Sequence, residues 1–260
     1  MELAPGVHSI GQEKGGQVRC FLLDDGGALT LIDTLWDVDA HRILDKIKRL
    51  GRTLTDLKHV VLTHGHRSHL GGLATLKRMS RAVVYCHAWE ADIVQGERRA
   101  QPVPILPMRP LTAYYRVYTL QLGAALGMGR HLPCPVDRAL DDSDEVGPLQ
   151  VVHAPGHTPG HLAFYWPQRR IVFAGDAAVT YPILSPGWPA FVLNRKQAHA
   201  SLHRMAQLEP EVVAVGHGDA IAKDATERLH ELTEQAYQQW MAGGLRGLEV
   251  AGAEPRGDPG

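Results

Sequence analysis

Three histidines lie close together in the stretch VVLTHGHRSHLGG, residues 60–72. His64 and His66 are two positions apart, so an extended or turning backbone can direct both imidazoles to one point, while His69 can reach a second point nearby. Neutral imidazole binds zinc, iron and related ions at about 2.0–2.1 Å. The stretch therefore predicts a metal-binding loop, and the alternative is a solvated polar loop.

Three other potential ligands stand beside glycines farther along the chain. His157 lies in APGHTPGH, Asp176 in FAGDA and His217 in VGHGD, each at the end of a predicted strand. Glycine allows the backbone to approach closely, and loops at strand ends often carry chemistry. A lone histidine of this kind is more often structural, but four such elements in one chain favour a shared metal centre.

The order of these motifs resembles the metallo-β-lactamase superfamily. The succession THGHRSHLGG, PGHTPGH, GD and GHG, preceded by a strand ending in LIDT, extends from about Val18 to Asp219. Members of this superfamily include thioesterases of the glyoxalase II type, lactonases, phosphodiesterases and β-lactamases. The resemblance implies an α/β fold, an αβ/βα sandwich of two mixed β-sheets flanked by helices, with metals at one edge between the sheets.

The resemblance also implies a role for each ligand. It assigns His64, His66 and His157 to a first metal and His69 and His217 to a second, with Asp176 bridging the two. Asp33 matches an acidic residue at the end of an early strand, and we expect it to hold the histidine loop from outside the ligand set. The alternative for Asp33 is a turn residue at a hairpin end.

Ser68 departs from the superfamily pattern, which is HxHxDH where this chain has HxHxSH. Three protein ligands remain at each site, the normal complement of a catalytic zinc site. Because a neutral hydroxyl replaces a carboxylate, we expect the second ion to bind less tightly, with Ser68 contacting it or its water. The alternative is that Ser68 caps a helix that begins near Leu70. Leu35 is a second departure, since the superfamily usually has glycine there.

The chemistry implied by such a centre is hydrolysis. A metal ion lowers the pKa of its bound water to about 7, so a metal-bound hydroxide can attack a carbonyl or phosphoryl group. We therefore expect a metal-dependent hydrolase of a small ester, thioester or lactone, with Asp176 as catalytic residue. We expect Zn²⁺, as one or two ions, with iron or manganese as alternatives.

Two other functions are compatible with the sequence. One is a mononuclear iron oxygenase of the sulfur dioxygenase type, which would use His64, His157 and Asp176. The other is a non-catalytic binding protein with a degenerate metal site. Retention of five histidines and the aspartate argues against the second, because a decayed site has no chemical reason to keep so many ligands.

The composition gives no sign of a charged partner. Lys and Arg number 27 against 28 for Asp and Glu, so we expect a small-molecule substrate and neither nucleic acid nor membrane as partner. Cys20, Cys86 and Cys134 are far apart and form no CxxC pair, which favours buried thiols in a reducing compartment. With no signal-peptide pattern and no long apolar run, the predicted location is cytoplasmic.

Periodicity and turn residues predict the elements. Residues 18–33 form a hairpin through Asp-Asp-Gly-Gly, strands cover 57–64, 82–87, 149–157, 161–166, 170–176 and 211–218, and helices cover 38–50, 70–79, 195–208 and 222–242. We expect one domain over 1–242 and a flexible tail over 243–260.

Two apolar segments, 105–132 and 180–194, are candidates for the substrate wall. In the first, Leu111, Tyr115, Tyr118 and Leu122 share one helical face. That helix would pack against its own core, roof a pocket or contact a partner, so a homodimer through 105–132 is one expectation.

Overall fold

The computed structural model describes residues 1–101, 108, 110–126 and 130–243. Its strands are β1 (Glu2–Ala4), β2 (Val7–Gln12), β3 (Val18–Asp24), β4 (Leu29–Ile32), β5 (Leu57–Val61), β6 (Val83–His87), β7 (Arg138–Leu140), β8 (Glu145–Val146), β9 (Leu149–His153), β10 (Leu162–Trp166), β11 (Ile171–Gly175) and β12 (Val212–Val215). Within the described residues they form a seven-stranded sheet, in the order β1 to β7, and a five-stranded sheet in the order β12 to β8.

Both sheets are mixed. In the first, β1 to β4 pair antiparallel and β4 to β7 pair parallel. In the second, β8 to β11 pair antiparallel, and β12 joins β11 in parallel. The predicted hairpin over 18–33 is confirmed by the antiparallel pairing of β3 with β4. Parallel neighbours need a crossover, and helices supply the crossovers here.

The helices are α1 (Lys14–Gln17), α2 (His41–Arg49), α3 (Arg67–Leu70), α4 (Leu73–Ser80), α5 (Ala88–Val94), α6 (Leu111–Ala125), α7 (Arg195–Ala206) and α8 (Ala225–Gly243), with 3₁₀ turns at Leu54–Asp56 and Pro167–Arg169. The helix predicted over 70–79 is divided into α3 and α4. The division follows from Gly71 and Gly72, whose N–H groups donate to the carbonyls of Leu35 and Thr34. The sequence pattern does not predict β1, β2 or α5.

Three apolar layers hold the sandwich together, because alternate residues of a strand face opposite sides of its sheet. Phe21 of β3 and Phe173 of β11 face inward and meet with ring centroids 5.2 Å apart. Leu22 faces outward, into a cluster that includes residues of α2 and α4. Residues of α7 and α8 cover the outer face of the second sheet in the same way. This is the predicted αβ/βα sandwich.

Helix α6 packs with its buried side against the segment 179–191. Tyr114 and Val117 are buried in a cluster with Val179, Trp188 and Phe191. Of the predicted stripe, Leu111, Tyr115 and Leu122 face away from that cluster and are 53–59% exposed. Tyr118 is partly buried and packs against the cluster instead. The helix predicted in this segment is therefore present, although 102–107, 109 and 127–129 of the two flanks lie outside the described residues.

The cysteines and the helices bear on two further expectations. Cys20, Cys86 and Cys134 are all buried and unpaired, as the sequence predicts. No helix in the described part of the chain is long and apolar enough to cross a membrane. The tail predicted over 243–260 lies, apart from Gly243, outside the described residues.

Candidate metal centre

Loops at the ends of four strands meet at one edge of the sandwich. His64 and His66 lie between β5 and α3, and His69 lies in α3 itself. His157 follows β9, Asp176 follows β11 and His217 follows β12. Strand β5 belongs to the seven-stranded sheet, and the other three strands belong to the five-stranded sheet. Because five of these side chains follow strand ends and His69 lies in the short helix after β5, the two sheets position the whole cluster.

These side chains form two groups that share Asp176. The first contains His64, His66, His157 and Asp176, and the second contains His69, Asp176 and His217. Within each group, one nitrogen or oxygen atom per residue lies within 4.8 Å of the others. The grouping follows the two sets that the resemblance implies.

The separations between donor atoms suit metal ions. Asp176 Oδ2 is 3.2 Å from His217 Nε2, 3.6 Å from His157 Nε2 and 3.8 Å from His64 Nε2, and Asp176 Oδ1 is 3.4 Å from His69 Nε2. His66 Nδ1 lies 3.0 Å from His157 Nε2. Ligand atoms on a tetrahedral zinc ion, with bonds of about 2.0–2.1 Å, are about 3.3 Å apart.

Unsatisfied polar atoms provide an independent test of whether ions fit. The donor atoms His64 Nε2, His69 Nε2, His217 Nε2 and Asp176 Oδ1 are buried and have no hydrogen-bond partner within the described residues. A buried polar atom without a partner costs about 1–3 kcal/mol, so native proteins rarely leave several in one place. Atoms of this kind converging on two points fit a pair of cations.

The partners of the opposite ring nitrogens direct the histidines toward these points. His217 Nδ1 donates to the carbonyl oxygen of Gly16 at 2.9 Å, and His69 Nδ1 donates to Asp33 Oδ2 at 2.9 Å. His64 Nδ1 contacts Thr63 Oγ1 at 3.0 Å. With Nδ1 as donor, Nε2 keeps its lone pair for a metal.

Asp33 lies outside the ligand set and contacts its surroundings through both oxygens. Beyond its bond to His69, it accepts from the backbone N–H of Thr63 at 2.9 Å and from the Thr63 hydroxyl at 2.8 Å. The Thr63 hydroxyl thus donates to Asp33 and accepts from His64. One carboxylate therefore orients a ligand of the second group directly and a ligand of the first group through one hydroxyl.

The electrostatic environments of the two groups differ. Burial lowers the pKa of His66 to about 4, and burial together with neighbouring histidines lowers the pKa of His64 well below its ordinary value. Burial alone would also lower the pKa of His69, but Asp176 and Asp33 raise that pKa to about 10. Burial would raise the pKa of Asp176, yet His217 and His69 hold it well below its usual range.

Ser68 is the second residue of α3 and is half-buried. The alternative that it caps a helix is wrong, because the N-cap of α3 is His66 and that of α4 is Gly72, neither with a side-chain cap bond. Ser68 directly precedes His69 in the same helical turn.

Leu35 adopts the conformation that its glycine counterpart would suit. Its φ is +61°, in the left-handed region, and its side chain is buried beneath α2 and α4. A Cβ on Gly71 would lie 2.1 Å from the Trp36 carbonyl oxygen, so the loop after Asp33 lies directly against the start of α4. The apolar burial of Leu35 offsets a backbone strain of about 1–3 kcal/mol.

Comparison with known proteins identifies the family. The sequence model of the metallo-β-lactamase superfamily matches residues 14–217. The chain belongs to this superfamily. Its relatives include the uncharacterized protein YobT of Bacillus subtilis, 27% identical over 84% of this chain and 90% of the relative. The probable metallo-hydrolase YflN of the same organism is 28% identical over 84% and 85%, and hydroxyacylglutathione hydrolase of Rhodobacter capsulatus is 28% identical over 82% and 72%.

Solved structures of the superfamily share the fold. The family protein TTHA1429 from Thermus thermophilus covers 94% of this chain and 84% of its own, at 26% identity and a TM-score of 0.64. The protein TTHA1623, solved in a di-iron-bound form, covers 86% and 98%, at 27% identity and a TM-score of 0.59. Together with the metallo-hydrolase relatives, these findings support a hydrolase of the superfamily that binds divalent metal.

Several residues support this metallo-β-lactamase centre from outside the two groups of ligands. His161 Nε2 accepts the backbone N–H of Asp176 at 3.1 Å, and the Gly16 carbonyl holds His217. Glu90 is buried behind the histidine loops. The sequence signal for His161 is its place as the second histidine of PGHTPGH. The Gly16 carbonyl and the Glu90 carboxylate come from distant segments and leave no local pattern.

Aromatic side chains cover the centre from the segment 180–194. The rings of Trp188 and His217 have centroids 4.2 Å apart, and Phe191 meets His66 edge to face at 6.1 Å. The Trp188 indole N–H donates to the carbonyl of Tyr181 at 2.7 Å. Arg67 is not a free cation: its guanidinium donates to the carbonyls of Trp36 and Arg130.

Proposed function

We propose that the protein is a metal-dependent hydrolase that cleaves a small ester, thioester or lactone, using Zn²⁺ held by its two histidine groups. The observation that carries the proposal is the convergence of buried, unsatisfied imidazole nitrogens on Asp176 from both sides. The hydroxyacylglutathione hydrolase relative supports a thioester or ester substrate, and the di-iron neighbour supports two ions and keeps iron as an alternative metal.

The chain's own residues define what such a centre does. A divalent ion, when bound, lowers the pKa of its water to about 7 and polarises a carbonyl oxygen. Asp176 Oδ1, which has no hydrogen-bond partner in the described part of the chain, can accept a hydrogen bond from water and orient it for attack. His161 Nε2 accepts the backbone N–H of Asp176 and so holds the stretch of backbone that carries this carboxylate.

The surroundings support an apolar acyl group. Trp188 and Phe191 are 4% and 9% exposed and lie directly over His217 and His66. Side chains of this kind exclude bulk water, which strengthens electrostatic interactions at the reacting carbonyl. Charge recognition is not supported by Arg67, because carbonyl oxygens already occupy its guanidinium.

The mononuclear oxygenase is less well supported. It would leave His69 and His217 without a function, although both rings have a dedicated partner that turns Nε2 inward. It would also leave out His66, whose Nδ1 lies 3.0 Å from His157 Nε2. The three buried, unpaired thiols support the cytoplasmic location predicted from the sequence.

Metal analysis combined with substrate screening tests the proposal. Protein purified without chelators is expected to contain zinc and to hydrolyse members of a panel of thioesters, lactones, β-lactams and phosphodiesters, with loss of activity after chelation and recovery with zinc. Iron content with thiol-dependent oxygen uptake would instead identify the oxygenase. Protein that retains no metal and binds none on titration would leave the non-catalytic binding protein.

A further inference from the structure

Glu90 is a buried acid that takes no part in ligating metal. It lies in the first turn of α5 and is 0% exposed, whereas an ionisable side chain is almost never fully buried without partners. The position is therefore expected to satisfy a specific set of hydrogen-bond donors.

Those donors all come from the loops that carry the first group of histidines. Gly65 donates its backbone N–H to Glu90 Oε2 at 2.9 Å, and the Thr158 hydroxyl donates to Oε1 at 2.5 Å. The backbone N–H of Gly160 also bonds to this carboxyl group. Gly65 stands between His64 and His66, and Thr158 directly follows His157.

The backbone fits around Glu90 with no space to spare. A Cβ built on Gly65 would lie 2.9 Å from Glu90 Oε2, and one on Gly160 would lie 2.9 Å from Glu90 Cγ. A Cβ atom makes no hydrogen bond and essentially never comes this close to another heavy atom, so both positions accept only glycine while Glu90 stays where it is. Glu90 is thus one of the side chains that leave these positions open only to glycine, together with Ile93 at Gly65 and His87 at Gly160.

The two loops belong to different sheets. The HGH loop follows β5 of the seven-stranded sheet, and the His157 loop connects β9 to β10 of the five-stranded sheet. Glu90 therefore joins the sheets behind the centre, and it does so without contributing a donor atom to either group of ligands.

We propose that Glu90 is a positioning residue that sets the distance between the His64–His66 pair and His157, and thereby the geometry and affinity of the first metal site. The proposal rests on the metal centre of the proposed function. A carboxylate suits the task, since its two oxygens offer about four acceptor positions and it can take all three donors at once. Glutamine of the same size would turn an NH₂ group toward an N–H or O–H donor.

Stepwise Co²⁺ titration of the metal-free protein, followed by visible absorption, tests the proposal. Glu90→Gln is expected to lower the affinity for the first ion by about 10–100-fold, the usual cost of losing a group that orients ligands, and to change the absorption spectrum of its Co²⁺ complex. The second ion, held by His69 and His217, is expected to bind as in wild type. Glu97→Gln, which removes the same charge from an exposed side chain farther along, is the matched control and should change neither.

A second pair of variants separates positioning from general stability. Thr158→Val removes one of the three donors, and Thr158→Ser keeps the hydroxyl that Glu90 accepts. We expect the valine variant to show weaker first-ion binding with an altered spectrum, and the serine variant to restore both. This pair also decides the matter if Glu90→Gln fails to fold.

Each contrary result has a distinct meaning. A Glu90→Gln or Thr158→Val protein that unfolds more easily but gives the wild-type Co²⁺ spectrum and affinity would overturn the positioning role and leave the metal centre intact. Wild-type protein that binds no Co²⁺ would overturn the proposed function, and the role of Glu90 with it.

Discussion

The two groups of the metal centre differ in protonation at His66 and His69. In the first group, burial keeps the pKa of His66 at about 4 and that of His157 well below its ordinary value. In the second, Asp176 and Asp33 overcome burial and raise the pKa of His69 to about 10. At neutral pH the metal-free first group is already deprotonated, whereas His69 carries a proton that an incoming ion must displace.

The proton on His69 and the serine at position 68 are both expected to affect the metal affinity of the second group. The second group has three protein ligands, one of which binds a proton strongly, and it lacks the carboxylate that the family pattern would supply. The first group has four. Because metal affinity depends on deprotonated ligands and on anionic charge, we expect both causes to lower the affinity of the second group for an ion.

Removing the shared ligand Asp176 should weaken both groups at once. Asp176→Asn is expected to lower the affinity for both ions and the hydrolytic rate by more than about 100-fold, which exceeds the usual cost of losing a group that only orients a ligand. Metal content per chain and kcat/KM measure the effect, and urea unfolding verifies that the variant is folded. Retention of either ion at wild-type affinity would show that Asp176 does not bridge.

Removing the carboxylate outside the ligand set should affect the halves unequally. Asp33→Asn loses the acceptor that His69 contacts directly and that His64 reaches through Thr63. We expect about 10–100-fold weaker binding of the second ion and a smaller loss for the first. Competition with a chromophoric chelator measures both affinities. The exposed Asp45→Asn on α2 is the control, and equal losses at the two sites would contradict the assignment.

The pH dependence of metal affinity should differ between the two ions in the wild-type protein. His69 is protonated below about pH 10, so affinity for the second ion is expected to rise about tenfold per pH unit between about pH 6 and 9. His66 has a pKa of about 4 and is therefore already deprotonated over this pH range. The affinity for the first ion should therefore be nearly constant. Metal titrations at several pH values test this, and parallel slopes for the two ions would refute it.

The smallest effect is expected from restoring the family carboxylate. Ser68→Asp should raise the affinity for the second ion a few-fold, because an anion replaces a neutral hydroxyl on the turn that carries His69. The gain is limited, since the neighbouring His69 already contacts two carboxylates, Asp33 and Asp176, and like charges oppose one another. Stoichiometry at low metal concentration measures it. Ser80→Asp at the far end of α4 is the control, and an unchanged second site would remove Ser68 from the explanation.

The sequence predicts which six side chains come together, because each stands in a short motif that contains or adjoins a glycine. His64, His66 and His69 share one loop, and strand-ending patterns place His157, Asp176 and His217 at the same edge. The strand order and the mixed pairing follow from the resemblance rather than from periodicity. The pattern of turns and apolar runs locates β3 to β6 but does not predict β1 or β2.

What the sequence does not predict is the set of contacts between distant segments. Glu90 lies in a helix that the pattern does not predict, and its donors come from loops on two sheets. The acceptor for His217 is a backbone carbonyl, which has no residue type. Leu35 has a positive φ, which is unfavourable for a residue with a side chain. The close approach of Gly71 to this loop accounts for it.

The bond between Gly16 and His217 joins residues separated by 201 positions. Val18 also forms an isolated β-bridge with His217, and Arg19 donates to the carbonyl of Gly218 and to the Asp219 carboxylate. In synthesis from the N-terminus, residues 16–19 therefore gain these partners only after residues 217–219 have been made. A nascent chain that has reached Asp176 contains every residue of the first group, whereas the second group lacks His217 until residue 217 has been synthesised.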